Sequence, residues 1–423
     1  MTRGSIDISA LRNEVISSRY KGLPIASHGK TVAEFLNSKP TLFGSDFQFP
    51  IGVIRESALR HNISRMEQYC KEAGVVHSPH VKTTMSPEIA KMQMEAGSWS
   101  VTLANYFQAN VFLDFGFSRV IIANEVLEPT AIRAIAERNN RPGNQIVFYV
   151  DSLAGLGKIQ AAISEMENPK LHLLIEIGNP GERAGLRDLA DVAPLAKAIS
   201  EDSRLNLLGV SGFEGILHAS DRTESGSKEV REFCRKVVAG AVLARPFVSH
   251  EKIILSAGGT SFFDMVLEEF AKYDGESLIV LRSGGYVSHD HGGYELFYPF
   301  QHESVDTKLI PAIEIWSQVI SQPESHLSIL NVGKRDLGTD VANPTPIKKR
   351  PVGAGNSVEP FAAEVNRLND QHSYLFLKDP KDLGLTDLVG LGISHPCTTF
   401  DKWRYMLLVN DEYEVVDLLH TFF

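Results

Sequence analysis

The sequence predicts an α/β protein in which a parallel (β/α)8 TIM-like barrel is followed by a second, β-rich domain. Short apolar runs alternate with amphipathic segments from about residue 51 to residue 286. After about residue 295 the apolar runs are separated by Pro, Gly and Asp, and helical periodicity is weak. We therefore expect an N-terminal extension at 1–44, the barrel at 45–292 and the β-rich domain at 293–423.

Nine short apolar runs are the candidate strands of the first region: 51–54, 75–81, 101–103, 120–123, 145–150, 171–177, 205–210, 252–255 and 278–281. Helical spacing predicts helices at 56–72, 88–96, 130–139, 154–165, 192–200, 228–242 and 262–272. A closed barrel needs eight strands, so either the first or the last run lies outside it. An open doubly wound sheet is the alternative. We also expect a helix at 8–20 and a loop at 342–358.

The composition favours a small-molecule ligand. The formal net charge is -10 and there is no basic run, which disfavours nucleic acid as a partner. A hydrophobic signal region is absent from the N-terminus, and no apolar stretch approaches the roughly 18 to 20 residues that span a bilayer, so we expect a cytoplasmic protein without a membrane partner. The three cysteines lie far apart, which disfavours a disulfide framework or a structural zinc finger.

Lys82 is the first candidate catalytic residue. It ends an apolar run just before a predicted helix, for which Ser86 is the natural N-cap and Pro87 the first residue. A lysine at such a position becomes a nucleophile, base or Schiff-base former when burial or a nearby cation lowers its pKa. The alternative from position alone is a strand-end lysine that reaches solvent.

Two glycine-rich turns follow the last predicted strands, at 255–261 and 281–286. Loops after late barrel strands often hold a phosphate, because backbone N–H groups converge there. An ordinary tight β/α turn would explain either segment alone. The candidate ligand-binding residues in the two turns are Ser256, Gly258, Gly259, Thr260, Arg282, Gly284, Gly285 and Tyr286.

Arg183 lies in a third loop rich in flexible residues, at 176–185. Its side chain either points into the barrel mouth, where it supplies fixed positive charge, or is solvated on a surface turn.

His395 and Cys397 form an HxC pair in the β-rich domain. In an extended segment such residues share a face, so imidazole and thiolate could bind one zinc ion. Because zinc usually has about four ligands, water or substrate would complete the set, as in catalytic zinc sites. The alternative is a buried cysteine beside a histidine in a turn.

Together these segments resemble the D-serine dehydratase and D-threonine aldolase branch of the fold type III pyridoxal-phosphate enzymes, from about residue 45 to the C-terminus. The strongest matches are PHVKTTMSPEIAK and ISHPCTTFDKWR. The resemblance implies that Lys82 carries the cofactor, that Arg183 lies near it, that Arg282 faces the pyridine nitrogen, and that the glycine turns bind the phosphate. It also implies that His395 and Cys397 bind zinc.

The resemblance further implies β-elimination of D-serine, or of a related D-3-hydroxy amino acid such as D-threonine, to a 2-oxo acid and ammonia in a homodimer. Aldolase members generally carry an acidic residue where Cys397 stands, which favours elimination here. Thr84, Met85 and Phe213 depart from the pattern of many members and leave the substrate range open. The alternatives are a metal-dependent D-threonine aldolase that yields glycine and acetaldehyde, an amino acid racemase, and a non-catalytic pyridoxal-phosphate carrier.

Overall fold

The computed structural model describes residues 5–217, 222–304 and 306–423. Its α-helices are α1 (Ser9–Arg12), α2 (Val32–Asn37), α3 (Glu56–Glu72), α4 (Pro87–Ala96), α5 (Tyr106–Asp114), α6 (Pro129–Asn139), α7 (Leu153–Ala162), α8 (Val192–Ser200), α9 (Glu224–Ala244), α10 (Phe263–Phe270), α11 (Gly293–Leu296) and α12 (Cys397–Phe400). Short 3-10 turns occur at Ile25–Ser27, Val81–Thr83, Leu189–Asp191, Glu214–Ile216, Arg245–Phe247 and Gly285–Val287. In these residues no helix is long and apolar enough to cross a membrane.

The strands of the first sheet are β2 (Val76–His77), β3 (Val101–Leu103), β4 (Arg119–Glu125), β5 (Gln145–Val150), β6 (Leu171–Glu176), β7 (Leu205–Ser211), β8 (Ile253–Ala257) and β9 (Ser277–Leu281). All neighbours are parallel, in the order β2-β9-β8-β7-β6-β5-β4-β3. A bridge between His80 and Thr102 joins the two outer strands, so the sheet curls round on itself. The sequential order confirms the predicted barrel and rules out a doubly wound sheet.

The second sheet contains β10 (Ile313–Glu324), β11 (Leu327–Leu330), β12 (Thr345–Arg350), β13 (Glu359–Pro360), β14 (Glu364–Leu368), β15 (Ser373–Phe376), β16 (Leu388–Gly392), β17 (Tyr405–Val409) and β18 (Val415–His420). Strand β1 (Ile51–Arg55) also belongs here, between β10 and β17. The first candidate strand is therefore the one that lies outside the barrel. The β-rich C-terminal domain is confirmed, and it takes one strand from the N-terminal side of the barrel.

Three local predictions were wrong, and one helix of the barrel was missed. The run at 75–81 is a strand only at Val76–His77, because Pro79 cannot donate a ladder hydrogen bond and the chain then enters a 3-10 turn. Helix α1 ends at Arg12, and Val15 bridges to Thr31 in an extended conformation. The predicted loop at 342–358 contains β12, which pairs with β16. Helix α5 was not predicted.

The N-terminal extension packs against the second sheet. Leu23, Val32 and Phe35 share an apolar cluster with Trp316 and Tyr405. The barrel and the second domain also share one continuous core, so the domains are held together by buried apolar side chains. This packing fixes the second domain over the carboxyl ends of the barrel strands, where barrel active sites form.

Candidate active site

A cavity of about 490 Å³ lies between the barrel mouth and the second domain. Lys82 and the HxC pair line it together, although more than three hundred residues separate them along the chain. The predicted site residues that line the cavity are Lys82, Arg183, Gly259, Thr260, Arg282, Gly284, Gly285, His395 and Cys397. Ser256, Gly258 and Tyr286 do not line the cavity, and the first and last of them are fully buried.

Lys82 lies in the 3-10 turn between β2 and α4. The Ser86 side chain accepts a hydrogen bond from the Ile89 N–H, and Pro87 starts the helix, as predicted. Burial lowers the pKa of Lys82; the negative Cys397 opposes this shift, and Arg183 and Arg282 add to it. Among the described residues the Lys82 amine has no hydrogen bond or ion pair, so it is available for chemistry.

The two glycine turns lie side by side because β8 and β9 are paired, with Ala257 opposite Leu281. The Ser283 hydroxyl donates to the Gly258 carbonyl at 3.0 Å and ties the turns together. However, the N–H groups of Gly258 and Gly259 donate to the Glu214 carboxylate, at 3.2 and 2.5 Å. These two amides are therefore occupied by a carboxylate of the protein itself.

Other amides of the same turns remain free. In the described chain, the N–H groups of Thr260, Ser261, Gly285 and Tyr286 have no hydrogen-bond partner. Thr260 and Tyr286 are buried, and buried N–H groups are almost always paired in proteins. Such donors at two adjacent turns fit a phosphate group. A phosphate bound by these amides would be held one residue further along the first turn than predicted, and Tyr286 would contribute its backbone only.

Tyr286 has its side chain in the core. Its hydroxyl accepts a hydrogen bond from the Gln93 side chain at 2.7 Å, and its ring packs edge-on against His77 in the core. Ser256 is likewise a support, since its hydroxyl accepts from Arg282 Nε at 2.8 Å.

Arg282 is fixed in the wall of the cavity. Its Nη2 donates to the Gly212 carbonyl at 2.6 Å and to the Ser211 hydroxyl at 3.2 Å, and the residue is 5% exposed. No described residue accepts a hydrogen bond from Nη1. This leaves the two N–H groups of Nη1, on a buried guanidinium, for a ligand in the cavity.

Arg183 also lies at the cavity, with its guanidinium carbon 4.8 Å from the centre of the Phe213 ring. Such a contact holds the planar guanidinium in one orientation. Beneath it, Glu176 and Glu125 form a carboxyl pair at the ends of β6 and β4. Burial and the neighbouring Glu176 raise the pKa of Glu125 to about 8, so the pair holds a proton at neutral pH.

The HxC pair is not in an extended segment, because Cys397 begins the short helix α12. Both side chains still reach the cavity. The hydrogen bond to Cys397 raises the pKa of His395 to about 9, and Asp340 adds to the shift. Burial would raise the pKa of the Cys397 thiol, but contacts with His395 and Thr83 outweigh it and lower that pKa. Imidazole and thiolate are therefore already in contact.

Within the described ranges, no three His, Cys, Asp or Glu side chains come together as a metal-ligand group. The two donors predicted from the sequence would be the ligands that the protein supplies to a metal bound here. A thiolate and an imidazole suit zinc, with open positions left for water or substrate.

Several residues at or next to the cavity were not predicted, among them His80, Glu176, Glu214 and Asp340. His80 lines the cavity, and its Nδ1 is buried without a hydrogen-bond partner among the described residues. Burial lowers the pKa of His80 well below its usual range, so the ring is neutral. The sequence could have indicated His80, because it lies two residues before Lys82. Glu214 and Asp340 act through hydrogen bonds from distant segments, for which the sequence carries no local signal.

Comparison with known families places both halves of the chain. Residues 54–252 match the family described as "Alanine racemase, N-terminal domain", and residues 312–409 match the "Putative serine dehydratase domain". An alanine-racemase-type barrel that is followed by a serine-dehydratase-type domain is the domain combination of a class of cofactor-dependent enzymes. The chain belongs to the fold type III pyridoxal-phosphate family.

Relatives with curated functions include 3-hydroxy-D-aspartate aldolase of Paracoccus denitrificans (strain Pd 1222), which is 25% identical over 320 residues, covering 75% of this chain and 80% of the relative. D-threo-3-hydroxyaspartate dehydratase of Delftia sp. (strain HT23) is 31% identical over 179 residues, which are 42% of this chain and 46% of that protein.

Two solved structures share the fold. D-threonine aldolase from Filomicrobium marinum gives a TM-score of 0.73 at 22% identity, over 89% of this chain and 95% of that one. The Delftia dehydratase gives a TM-score of 0.70 at 21% identity, over 90% of this chain and 99% of that one. At these identities the structural likeness supports the fold alone.

Pyridoxal phosphate fits the residues present. The cavity offers an amine of lowered pKa, four unpaired amides at two joined turns, and a fixed arginine with a free donor. The amine suits the aldehyde of the cofactor, the amides suit its phosphate, and the arginine suits its ring nitrogen.

Proposed function

We propose that the protein is a pyridoxal-phosphate-dependent lyase that eliminates the β-hydroxyl group of a D-3-hydroxy amino acid, giving a 2-oxo acid and ammonia, with D-serine as the first candidate substrate. The observation that carries the proposal is that the HxC pair and Lys82 face one cavity. Thr83 Oγ1, in the residue after Lys82, lies 3.4 Å from Cys397 Sγ. A pair of candidate metal ligands beside an amine base would supply the Lewis acid and the base that assist elimination of a poor leaving group.

Lys82 would hold the cofactor and serve as the base. When bound, pyridoxal phosphate supplies an electron sink for the charge left by loss of the α-proton. The lowered pKa of Lys82 keeps more of the amine neutral, so that Nζ can accept that proton. Arg282 Nη1 would donate to the ring nitrogen, and the free amides of Thr260, Gly285 and Tyr286 would donate to the phosphate.

His395 and Cys397 would hold the metal, which we propose is zinc. A zinc ion bound there supplies a Lewis acid for the departing hydroxyl group. Structures of the related Delftia dehydratase include a histidine variant and a cysteine variant whose positions are two residues apart, the cysteine variant being metal-free. The same spacing separates His395 from Cys397 and supports a metal role for the pair.

Retro-aldol cleavage is the second candidate, because an aldolase stands among the curated relatives. It uses the same amine and metal but removes the proton of the β-hydroxyl group. The thiolate at position 397 favours elimination, as the sequence resemblance implied. The homodimer and the cytoplasmic location remain predictions.

A panel of D-amino acids tests the proposal, each assayed with and without a metal chelator for 2-oxo acid, ammonia, glycine and aldehyde. D-serine, D-threonine and D-threo-3-hydroxyaspartate form the core of the panel, with the L-enantiomers as controls. We expect 2-oxo acid and ammonia from the D-series only, with loss of activity on chelation. Glycine with an aldehyde would assign the aldolase reaction instead, and chelator-resistant racemisation would overturn both.

A further inference from the structure

Asp340 contacts the proposed metal-binding histidine and is not one of the residues that line the cavity. Its Oδ2 lies 2.6 Å from His395 Nδ1, and its Oδ1 accepts a hydrogen bond from the Thr398 hydroxyl at 2.6 Å. Both carboxylate oxygens are therefore used. The donor Thr398 follows Cys397 directly, so one carboxylate connects to both halves of the HxC segment.

The loop that carries Asp340 is tied to the same segment along its length. The Gly338 N–H donates to Thr399 Oγ1 at 3.0 Å, and that hydroxyl donates to the His395 carbonyl at 2.9 Å. Further along, the Ser394 hydroxyl donates to the Ala342 carbonyl at 2.8 Å. A side chain at position 338 would collide with Thr398, so glycine allows this close approach. The carboxylate is thus held in place although its side chain is 47% exposed.

We propose that Asp340 is a positioning residue that fixes the orientation and tautomer of His395 for metal binding. A carboxylate on Nδ1 requires a hydrogen there, which leaves the lone pair of Nε2 directed at the metal. Thr398 holds the second oxygen, so the carboxylate cannot rotate away. The inference rests on the proposed metal role of His395 and Cys397 and assigns a residue that supports it from outside the ligand set.

The test compares Zn²⁺ affinity in the wild type with that in Asp340→Ala, Asp340→Asn and Thr398→Val, by competition with a chromophoric chelator. Loss of such a supporting partner typically weakens metal binding about 10–100-fold. We expect that loss in Asp340→Ala and smaller losses in the other two, because the side-chain amide oxygen in Asp340→Asn can still accept from Nδ1 and Thr398→Val leaves the carboxylate in place. Asp370→Asn, at an exposed ion pair with Arg335, is the matched control and should bind as the wild type does.

Two further readouts separate positioning from misfolding. The melting temperature and the absorption of the lysine-bound cofactor should be unchanged in Asp340→Ala. The nitrogen NMR signals of His395, recorded in metal-free protein at a pH above its pKa of about 9, where the ring is neutral, should lose the single Nδ1–H tautomer. Equal Zn²⁺ affinity in Asp340→Ala and wild type would overturn the inference and leave the proposed function standing. Failure of the wild type to bind Zn²⁺ would overturn the metal site and this inference together.

Discussion

The two sides of the cavity differ in how they are built. On the barrel side, Arg282 and Thr260 are each 5% exposed and are held by paired parallel strands. On the side of the second domain, the side chains of His395 and Asp340 are 24% and 47% exposed and lie on loops. Buried groups on strand ends are fixed before any ligand arrives, whereas groups on exposed loops exchange ligands with solvent. The barrel side suits a cofactor that stays, and the other side a metal that can be removed.

Replacing Lys82 should have the largest effect, because it removes both the attachment of the cofactor and the base. We expect Lys82→Ala to lose turnover by on the order of 10⁴-fold, the upper range for a general base. The long-wavelength absorption of the lysine-bound cofactor should also disappear. Lys91→Ala, which removes a lysine on the next helix that pairs with Glu95, is the control and should keep both properties. Unchanged absorption in Lys82→Ala would contradict the cofactor assignment.

Replacing Cys397 should impair the proposed metal site on the side of the second domain and leave cofactor binding on the barrel side intact. In Cys397→Ala we expect turnover to fall by about 10³-fold, since a Lewis-acid metal contributes several kcal/mol to stabilising developing charge. The cofactor absorption should stay, because the barrel-side contacts are untouched. Absorption and turnover, measured on the same sample, check this separation. Cys234→Ala, on the buried face of α9, is a control for loss of a thiol elsewhere. Loss of the cofactor in Cys397→Ala would mean that the two sides are not independent.

Replacing Glu214 tests whether the glycine turn on the barrel side keeps its shape without this carboxylate. Glu214→Ala leaves the N–H groups of Gly258 and Gly259 without their acceptor, and each unpaired buried donor costs about 1–3 kcal/mol. We expect the turn to distort and affinity for pyridoxal phosphate to fall by about 10-fold or more. Glu214→Gln keeps one acceptor oxygen and should lose less. Titration of cofactor-free protein with pyridoxal phosphate measures both, and equal affinities would show that the turn holds its shape alone.

The carboxyl pair beneath Arg183 gives the smallest expected effect, on stability against pH. The folded protein keeps the Glu125 proton up to about pH 8, whereas the unfolded chain releases it near its ordinary value of 4.5. Between these values the folded state binds more protons, so this group lowers stability as the pH rises. Glu125→Gln should therefore melt higher than the wild type at pH 8, and the gain should shrink towards pH 5. Glu137→Gln, on the surface of α6, should show no such trend.

The sequence was sufficient for the barrel, the second domain and nine of the residues that line the cavity. Periodicity and glycine turns are local signals, and Lys82, Arg282 and the HxC pair each lie in such a segment. The residues that were missed act across the fold: Glu214 reaches the turn after β8, and Asp340 reaches His395 from a separate loop. The sheet to which strand β1 belongs was left open for the same reason, since its apolar run does not specify its partners.

D-threonine provides the most direct test, because one substrate reports both reactions. Elimination converts it to 2-oxobutanoate and ammonia, whereas retro-aldol cleavage gives glycine and acetaldehyde. With pyridoxal phosphate and Zn²⁺ supplied, we predict 2-oxobutanoate as the main product, dependent on Lys82 and on Cys397. Glycine as the main product, or 2-oxobutanoate formed equally well by Cys397→Ala, would contradict an elimination assisted by a metal at the HxC pair.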